Sequence, residues 1–294
     1  MSIKSYYEIT KPGIVYGNAI PVIGGFLLAS RGSVSWTLFA AALIGISLVM
    51  ASSCVFNNVI DRDIDAKMGR TKNRAVVTGR ISKRAALLYA TLLGLAGFAA
   101  LLLRVNVLAA EVAALGFFFY VCMYSMWWKR RSVWGTEIGS VSGAVPAVVG
   151  YVAVTNSIDL AAVILFALMV AWQMPHFYAI AIRLADDYAA AGIPVLPLAR
   201  GMRAAKVQMT AYIVATVLFS ALLTAFGYCG YAFLAVILLF GFAWLRKCLK
   251  GFRIPDDDKK ENALWARSVF LFSLWVLLTT FAAAGLSPWL DIRP

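Results

Sequence analysis

Asn57, Asp61 and Asp65 stand four residues apart at the end of a long apolar stretch, Trp36 to Phe56. On a helix, steps of four drift by only about 40°, so the three side chains share one face while Asp63 points roughly the other way. Carboxylates at the end of a membrane-embedded helix are costly to bury, which marks them as candidate functional groups. The chemistry they suit is the binding of a hard divalent cation. Mg²⁺ is usually held by one or two carboxylates together with substrate phosphate oxygens. The plainer alternative is a solvated helix end whose acids pair with Arg62, Lys67 and Arg70.

Cations follow at once. The next loop carries Lys72 and Arg74, and a second basic run, Lys129-Arg130-Arg131, follows Tyr120 and Tyr124, which lie one helical turn apart. Arg grips phosphate oxygens with paired hydrogen bonds and Lys acts as a point charge. Grouped at one membrane face, these residues would cradle a Mg²⁺-diphosphate. Charge developing on that leaving group would be stabilised, so an allylic C–O bond can ionise. Tyr120 and Tyr124 could shield the carbocation, and a low-water interior would protect it from hydrolysis. His176, the only histidine, lies in Trp172-Gln173-Met174-Pro175-His176-Phe177, followed by Arg183 and Asp187, which are candidates for substrate binding, Asp187 also for catalysis. A lone histidine is commonly a hydrogen-bonded packing residue; an intramembrane one is also a candidate functional group.

The elements that must position these residues are membrane spans. The chain has 294 residues, 62% of them hydrophobic and only 14% charged, which excludes an ordinary soluble domain and a disordered chain alike. Nine windows are long and apolar enough to cross a bilayer: 13–30, 36–60, 85–103, 106–126, 135–155, 159–182, 206–226, 230–249 and 264–288. The expectation is an all-α polytopic membrane protein, a bundle of nine transmembrane helices around a central cavity, forming one domain over 1–294. The first window follows a polar start and lacks an evident cleavage site, so it reads as a span rather than a signal peptide.

The net charge of +13 could suggest nucleic acid, but its distribution argues for topology instead. Of 27 Lys and Arg, 23 fall at one set of span ends, leaving Arg31, Arg104, Arg267 and Arg293 elsewhere. That pattern places the N-terminus in the cytoplasm and, after nine spans, the C-terminus outside. It fits attraction to anionic membrane lipids and no nucleic-acid partner. Trp127, Trp128, Trp134 and Trp289 sit where interfacial anchors do. Cys54, Cys122, Cys229 and Cys248 form no C-x-x-C pair and read as small apolar residues.

Glycines in spans one and five suit close helix packing. Glu137 is expected to pair with the nearby basic run; Glu111 has no evident role. Pro255-Asp256-Asp257-Asp258-Lys259-Lys260 reads as a solvated loop, and not as a second metal site, because three adjacent Asp do not share a helix face. Spans two, four and six run in the same direction, so their acids and bases meet at one membrane face. The loops after spans two and six also match. Asp65 to Gly79 and Asp187 to Gly201 are both steps of 14, each with an Arg beside the Gly. In that register Asp61 corresponds to Arg183, so the second site is not a copy of the first.

Asn57-x-x-x-Asp61-x-x-x-Asp65 in the second of nine spans resembles the first aspartate motif of the UbiA-type intramembrane prenyltransferases. Within them, several runs resemble the protohaem IX farnesyltransferase family. They are Thr10-Lys11-Pro12-Gly13, Asn57 to Asp65, Arg70-Thr71-Lys72-Asn73-Arg74, Trp172 to Phe177, and Asp187-Tyr188 with Ile193-Pro194-Val195-Leu196-Pro197. The resemblance implies transfer of farnesyl from farnesyl diphosphate to a vinyl group of haem B, giving haem O for terminal oxidases, in a bacterial inner membrane. It implies Asn57, Asp61 and Asp65 as holders of Mg²⁺-diphosphate, assisted by Lys72, Arg74 and Lys129 or Arg130. It suggests His176 toward the porphyrin, and contact with oxidase-assembly or haem-modifying proteins. Arg183 and Asp187 depart from the fuller second aspartate motif of other branches, which puts a second Mg²⁺ there in doubt. The competing readings are a prenyltransferase for a quinone precursor and, from a different class, a cation- or proton-coupled transporter.

Overall fold

The computed structural model describes residues 2–290, and the expected outward charge at Arg293 lies outside them. Nine helices among the described residues are long and apolar enough to span a bilayer. They are Pro12–Ser30, Trp36–Ile60, Lys83–Arg104, Val107–Arg131, Gly135–Thr155, Leu160–Arg183, Met202–Ala225, Tyr231–Arg253 and Lys259–Leu290. No strand occurs among the described residues. This is the solution lipid imposes, since a helix satisfies its own backbone polar groups where no water is available. The outer surface is correspondingly apolar, with Leu88, Leu92, Leu95 and Leu103 exposed along span three and Leu239 and Phe242 along span eight.

Span one packs on span five and span nine, while span six meets spans five, seven and nine. Span two lies along span three and also touches span four. Close approach depends on glycine. A side chain at Gly25 would run into the carbonyl of Ala147, and one at Gly150 into the carbonyl of Val22. Spans one and five thus meet backbone to backbone, the arrangement small residues permit in lipid.

The connections at the basic end are built structures. Ile64 and Met68 from the loop after span two pack with Ala181, Ala191, Ile193 and Val195 at the end of span six and in the loop after it. Gly79 and Gly201 both sit at left-handed φ, +77° and +87°. The two loops therefore share a backbone feature as well as a spacing. In the loop between spans eight and nine Pro255, Asp256, Asp257, Lys259 and Lys260 are exposed, as expected of a solvated segment, and Asp256 also pairs inward. Fully buried Lys206 of span seven donates to Ile254 O at 2.8 Å and Asp256 Oδ1 at 2.7 Å, and Asn262 donates to Pro255 O at 2.7 Å. A buried ammonium needs such partners, and this loop supplies them. Among the described residues the cysteines form no disulfide.

Candidate active site

Span two is α-helical to Ile60, and its hydrogen-bond ladder carries on past that end. Asp61 N–H donates to Asn57 O at 2.9 Å, and Asp65 N–H donates to Asp61 O at 2.8 Å. The four-residue register is therefore kept through the short turn Arg62–Asp65. Asn57, Asp61 and Asp65 all face inward, at 2%, 0% and 1% exposure. Asp63 faces outward, as the helical period requires.

The acids are neutralised by cations brought from a distance. Lys129 Nζ donates to Asp61 Oδ2, and Arg74 Nη1 donates to Asp65 Oδ2 at 2.5 Å. Arg130 grips Asp63 with two hydrogen bonds of 2.7 Å, reaches Ile60 O at 2.7 Å, and stands 3.7 Å from Asp61 Oδ1. Those bonds from Arg130 pull the Asp63 carboxyl below the usual carboxylate range. Pairing with Arg62, Lys67 and Arg70 does not occur; all three are exposed on the outer side of the loop. Lys72 is likewise exposed and makes no ion pair among the described residues. The loop does cap the site, with Thr71 Oγ1 donating to Asp65 O at 2.8 Å.

Two participants were not singled out from the sequence. Lys11, ahead of span one, donates from Nζ to Asn57 Oδ1. It takes a left-handed backbone, φ +54°, directly before the proline that opens the span. A non-glycine residue there costs of order 1 kcal/mol and is retained where surrounding structure enforces it. Desolvation, with Arg74 and Lys129 nearby, lowers the Lys11 ammonium to about 8, so it remains charged at neutral pH. The only sequence signal was the run Thr10-Lys11-Pro12-Gly13.

The second is Ser125, fully buried on span four. Its Oγ accepts from Asn57 Nδ2 at 2.8 Å and donates to Tyr120 O at 2.7 Å. Here span four is not an α-helix: Phe119–Trp128 forms a π-helix of 10 residues. Bonding from i to i+5 brings residues five apart into line. Tyr120, Ser125 and Lys129 are brought to one side, with Tyr124 beside them. On an α-helix, Tyr120 and Lys129 would lie about 180° apart. The Tyr120 and Tyr124 rings are 5.8 Å apart, and Lys129 Nζ stands 5.8 Å from the Tyr124 ring. Gly139 of span five leaves the room Tyr124 occupies, since a Cβ there would come within 3.1 Å of the ring.

The donor set fits a hard cation shared with a ligand. Asn57 Oδ1 and the Asp61 and Asp65 carboxylates are hard oxygen donors, and Asp61 Oδ1 is buried without a hydrogen-bond partner. Mg²⁺ is usually held by one or two carboxylates together with substrate phosphate oxygens, which is the donor set two Asp and one Asn can offer.

The remaining candidates lie apart from these contacts. Asp187 Oδ1 accepts from Gly69 N–H at 2.9 Å, joining the two matched loops. Arg183 is exposed and lies over Phe270 at 5.2 Å. His176 Nδ1 is 2.8 Å from Ser273 Oγ, and its ring stacks on Trp172 at 4.9 Å and leans on Phe270 at 4.8 Å. Its contacts are with spans six and nine. Glu137 does not pair with the basic run. Its Oε1 lies 2.6 Å from the Tyr178 hydroxyl, which is 2.9 Å from Gln208 Oε1. Gly135 and Gly139 face span four, and Glu137, roughly 160° round the helix from each, faces spans six and seven. Glu111 is exposed, and nothing in the structure explains it.

The chain belongs to the UbiA prenyltransferase family, whose model matches residues 18–277. Among its relatives is "Protoheme IX farnesyltransferase 2" of Pseudomonas putida (strain W619), 55% identical over 274 residues, covering 93% of this chain and 91% of that protein. A digeranylgeranylglyceryl phosphate synthase shares the fold at TM-score 0.78 and 19% identity, over 97% of this chain and 98% of that one. A UbiA homologue from Archaeoglobus fulgidus, solved with GPP and Mg²⁺, does so at TM-score 0.72 and 17% identity, over 95% and 99%.

Proposed function

We infer that this chain transfers the farnesyl group of farnesyl diphosphate to a vinyl group of haem B, forming haem O for terminal oxidases. The acceptor rests on the 55% identity to a protein named for protohaem IX farnesylation. The observation that carries the donor half is the buried Asn57–Asp61–Asp65 face opposed by Lys11, Arg74, Lys129 and Arg130. Buried charge is retained only when paired, and here the anions at the end of span two are met by cations from span four, from the loop after span two and from the segment ahead of span one. A Mg²⁺-diphosphate offers each set a new partner of opposite sign. Asn57, Asp61 and Asp65 would hold Mg²⁺; Lys11, Arg74, Lys129 and Arg130 would take the diphosphate oxygens. When bound, the metal supplies charge neutralisation on the leaving group.

Tyr120 and Tyr124, with rings 5.8 Å apart beside Lys129, stabilise the allylic cation as the C–O bond breaks. The vinyl carbon then bonds to farnesyl, water adds at the neighbouring carbon, and diphosphate and a proton leave. His176 serves the acceptor. Ser273 Oγ donates to Phe270 O at 2.6 Å, so toward His176 it accepts, which assigns the ring proton to Nδ1 and leaves the Nε2 lone pair for a haem ligand. Asp187 braces the loop at Gly69, Arg183 stands over Phe270 of span nine, and Lys72 contributes to long-range attraction of the anionic substrate. The chain acts as one integral-membrane prenyltransferase domain over 1–294 in a bacterial inner membrane. Its N-terminus is cytoplasmic and its C-terminus outside, and it lies within reach of oxidase-assembly or haem-modifying proteins.

Membranes containing the protein, supplied with haem B, farnesyl diphosphate and Mg²⁺, should yield a pigment heavier by the mass of farnesol, with no product in EDTA. No haem product from intact protein would overturn the acceptor and favour a quinone precursor. Loss of haem affinity in His176→Ala, with diphosphate binding retained, is expected of the histidine's role; unchanged haem affinity would remove it.

A further inference from the structure

Ser125 makes no charged contact, yet it is fully buried against the first residue of the metal face. Its hydrogen-bond arithmetic is decisive. A serine hydroxyl has one proton to give. That proton goes to Tyr120 O at 2.7 Å, a carbonyl that can only accept. Toward Asn57 the Ser125 oxygen can therefore only accept, so the Asn57 atom facing it must be the amide nitrogen, 2.8 Å away. The other proton of that amide goes to Asp61 Oδ2 at 2.9 Å. Both donors of Asn57 are thus committed, and Oδ1 is left turned toward the Lys11 ammonium.

A free amide flips readily, and a flipped Asn57 would present N–H groups where a cation needs oxygen. We propose that Ser125 is the positioning residue that locks the Asn57 amide with its oxygen toward Mg²⁺-diphosphate, and that the π-helical segment of span four serves to place it there. On an α-helix Ser125 would lie about 140° from Tyr120, and its hydroxyl could not reach a carbonyl five residues back. The i→i+5 bonding of the π-helix makes that bond local, and so fixes which way the proton points.

The proposal rests on Asn57 facing Mg²⁺-diphosphate, and the test separates the two. Purified protein in detergent is titrated with Mn²⁺ in the presence of inorganic diphosphate, and free Mn²⁺ is followed by electron paramagnetic resonance. Ser125→Ala should weaken Mn²⁺ binding about tenfold, the scale of lost outer-shell contacts, while Ser125→Thr stays within about threefold of the parent. In turnover, the half-saturating Mg²⁺ should rise by a similar factor, with the KM for haem within about twofold. Because the hydroxyl acts through Asn57, Asn57→Ala and Asn57→Ala/Ser125→Ala should bind Mn²⁺ equally well. Parental binding by Ser125→Ala would overturn the proposal. So would a double variant markedly weaker than Asn57→Ala, or equal losses of metal and haem affinity. If the parent binds no Mn²⁺ with diphosphate, the reading of the site falls first and this proposal with it. Monodisperse elution of each variant guards against misfolding. Where Ser125→Ala fails that check, Ser125→Cys, close in size but with a weakly hydrogen-bonding thiol, replaces it alone and with Asn57→Ala and is read by the same coupling.

Discussion

The loops after spans two and six share a spacing and a left-handed glycine, Gly79 in one and Gly201 in the other, but they are charged differently. In the first, Asp61 and Asp65 are buried and met by Lys129 and Arg74. In the second, Arg183 takes the place of Asp61 and is exposed over Phe270, while Asp187 spends an oxygen on the backbone of Gly69. One loop holds unspent anionic capacity; the other uses its carboxylate to brace its twin. Repeated backbone geometry therefore does not carry repeated chemistry. That follows from electrostatics, because a buried carboxylate persists only where a cation is delivered to it. Span four delivers Lys129 and Arg130 to the first copy, whereas among the described residues the ion pair at the second copy joins exposed Asp186 and Lys259.

The strongest way to break this contrast is at the first copy. Asp61→Ala and Asp65→Ala are each expected to lower turnover at least 10²-fold, the scale of losing a group that stabilises developing charge. Both proteins should still insert and elute as the parent does; normal turnover in either would contradict the metal face. Stripping the wild-type protein with EDTA should give a loss of the same order, reversed by Mg²⁺ and not by Na⁺.

Removing a cation is expected to cost less, because three others remain. Lys129→Ala should lower kcat about 10- to 100-fold, with farnesyl diphosphate dependence affected more than haem dependence. Equal turnover in Lys129→Ala and the parent would leave the Asp61 pair as packing alone. At the second copy, Asp187→Ala should cost roughly threefold to tenfold through the loosened Gly69 loop. Asp187→Asn, which keeps an acceptor oxygen, should recover most of it. A loss as deep as that of Asp61→Ala would mean that the second copy binds substrate directly.

The smallest effects sharpen the contrast from outside the site. Lys72→Ala and Asp63→Asn are expected to leave turnover within about twofold. Asp63 and Arg130 form a solvent-facing pair, and such pairs contribute about 1 kcal/mol or less, read here by thermal unfolding in detergent.

Much of this was legible in the amino-acid sequence because it is set by local periodicity. The nine spans follow from apolar length, and the inward register of Asn57, Asp61 and Asp65 with Asp63 outward follows from the helical repeat. That Lys129 and Arg130 meet those acids follows from counting spans and basic residues. Four things were decided only by the tertiary structure. The choice of Arg74 over the nearer Arg62, Lys67 and Arg70 depends on how the loop folds back over Asp65. The π-helix that aligns Tyr120, Ser125 and Lys129 has no compositional signature, since one residue more per turn is paid in hydrogen-bond geometry and recovered in packing. Lys11 reaches Asn57 across 46 residues of chain, and Glu137 turns to Tyr178 rather than to the basic run beside it. Such contacts arise from the side-by-side packing of spans, which determines which faces meet and which the sequence pattern of any one span leaves undetermined.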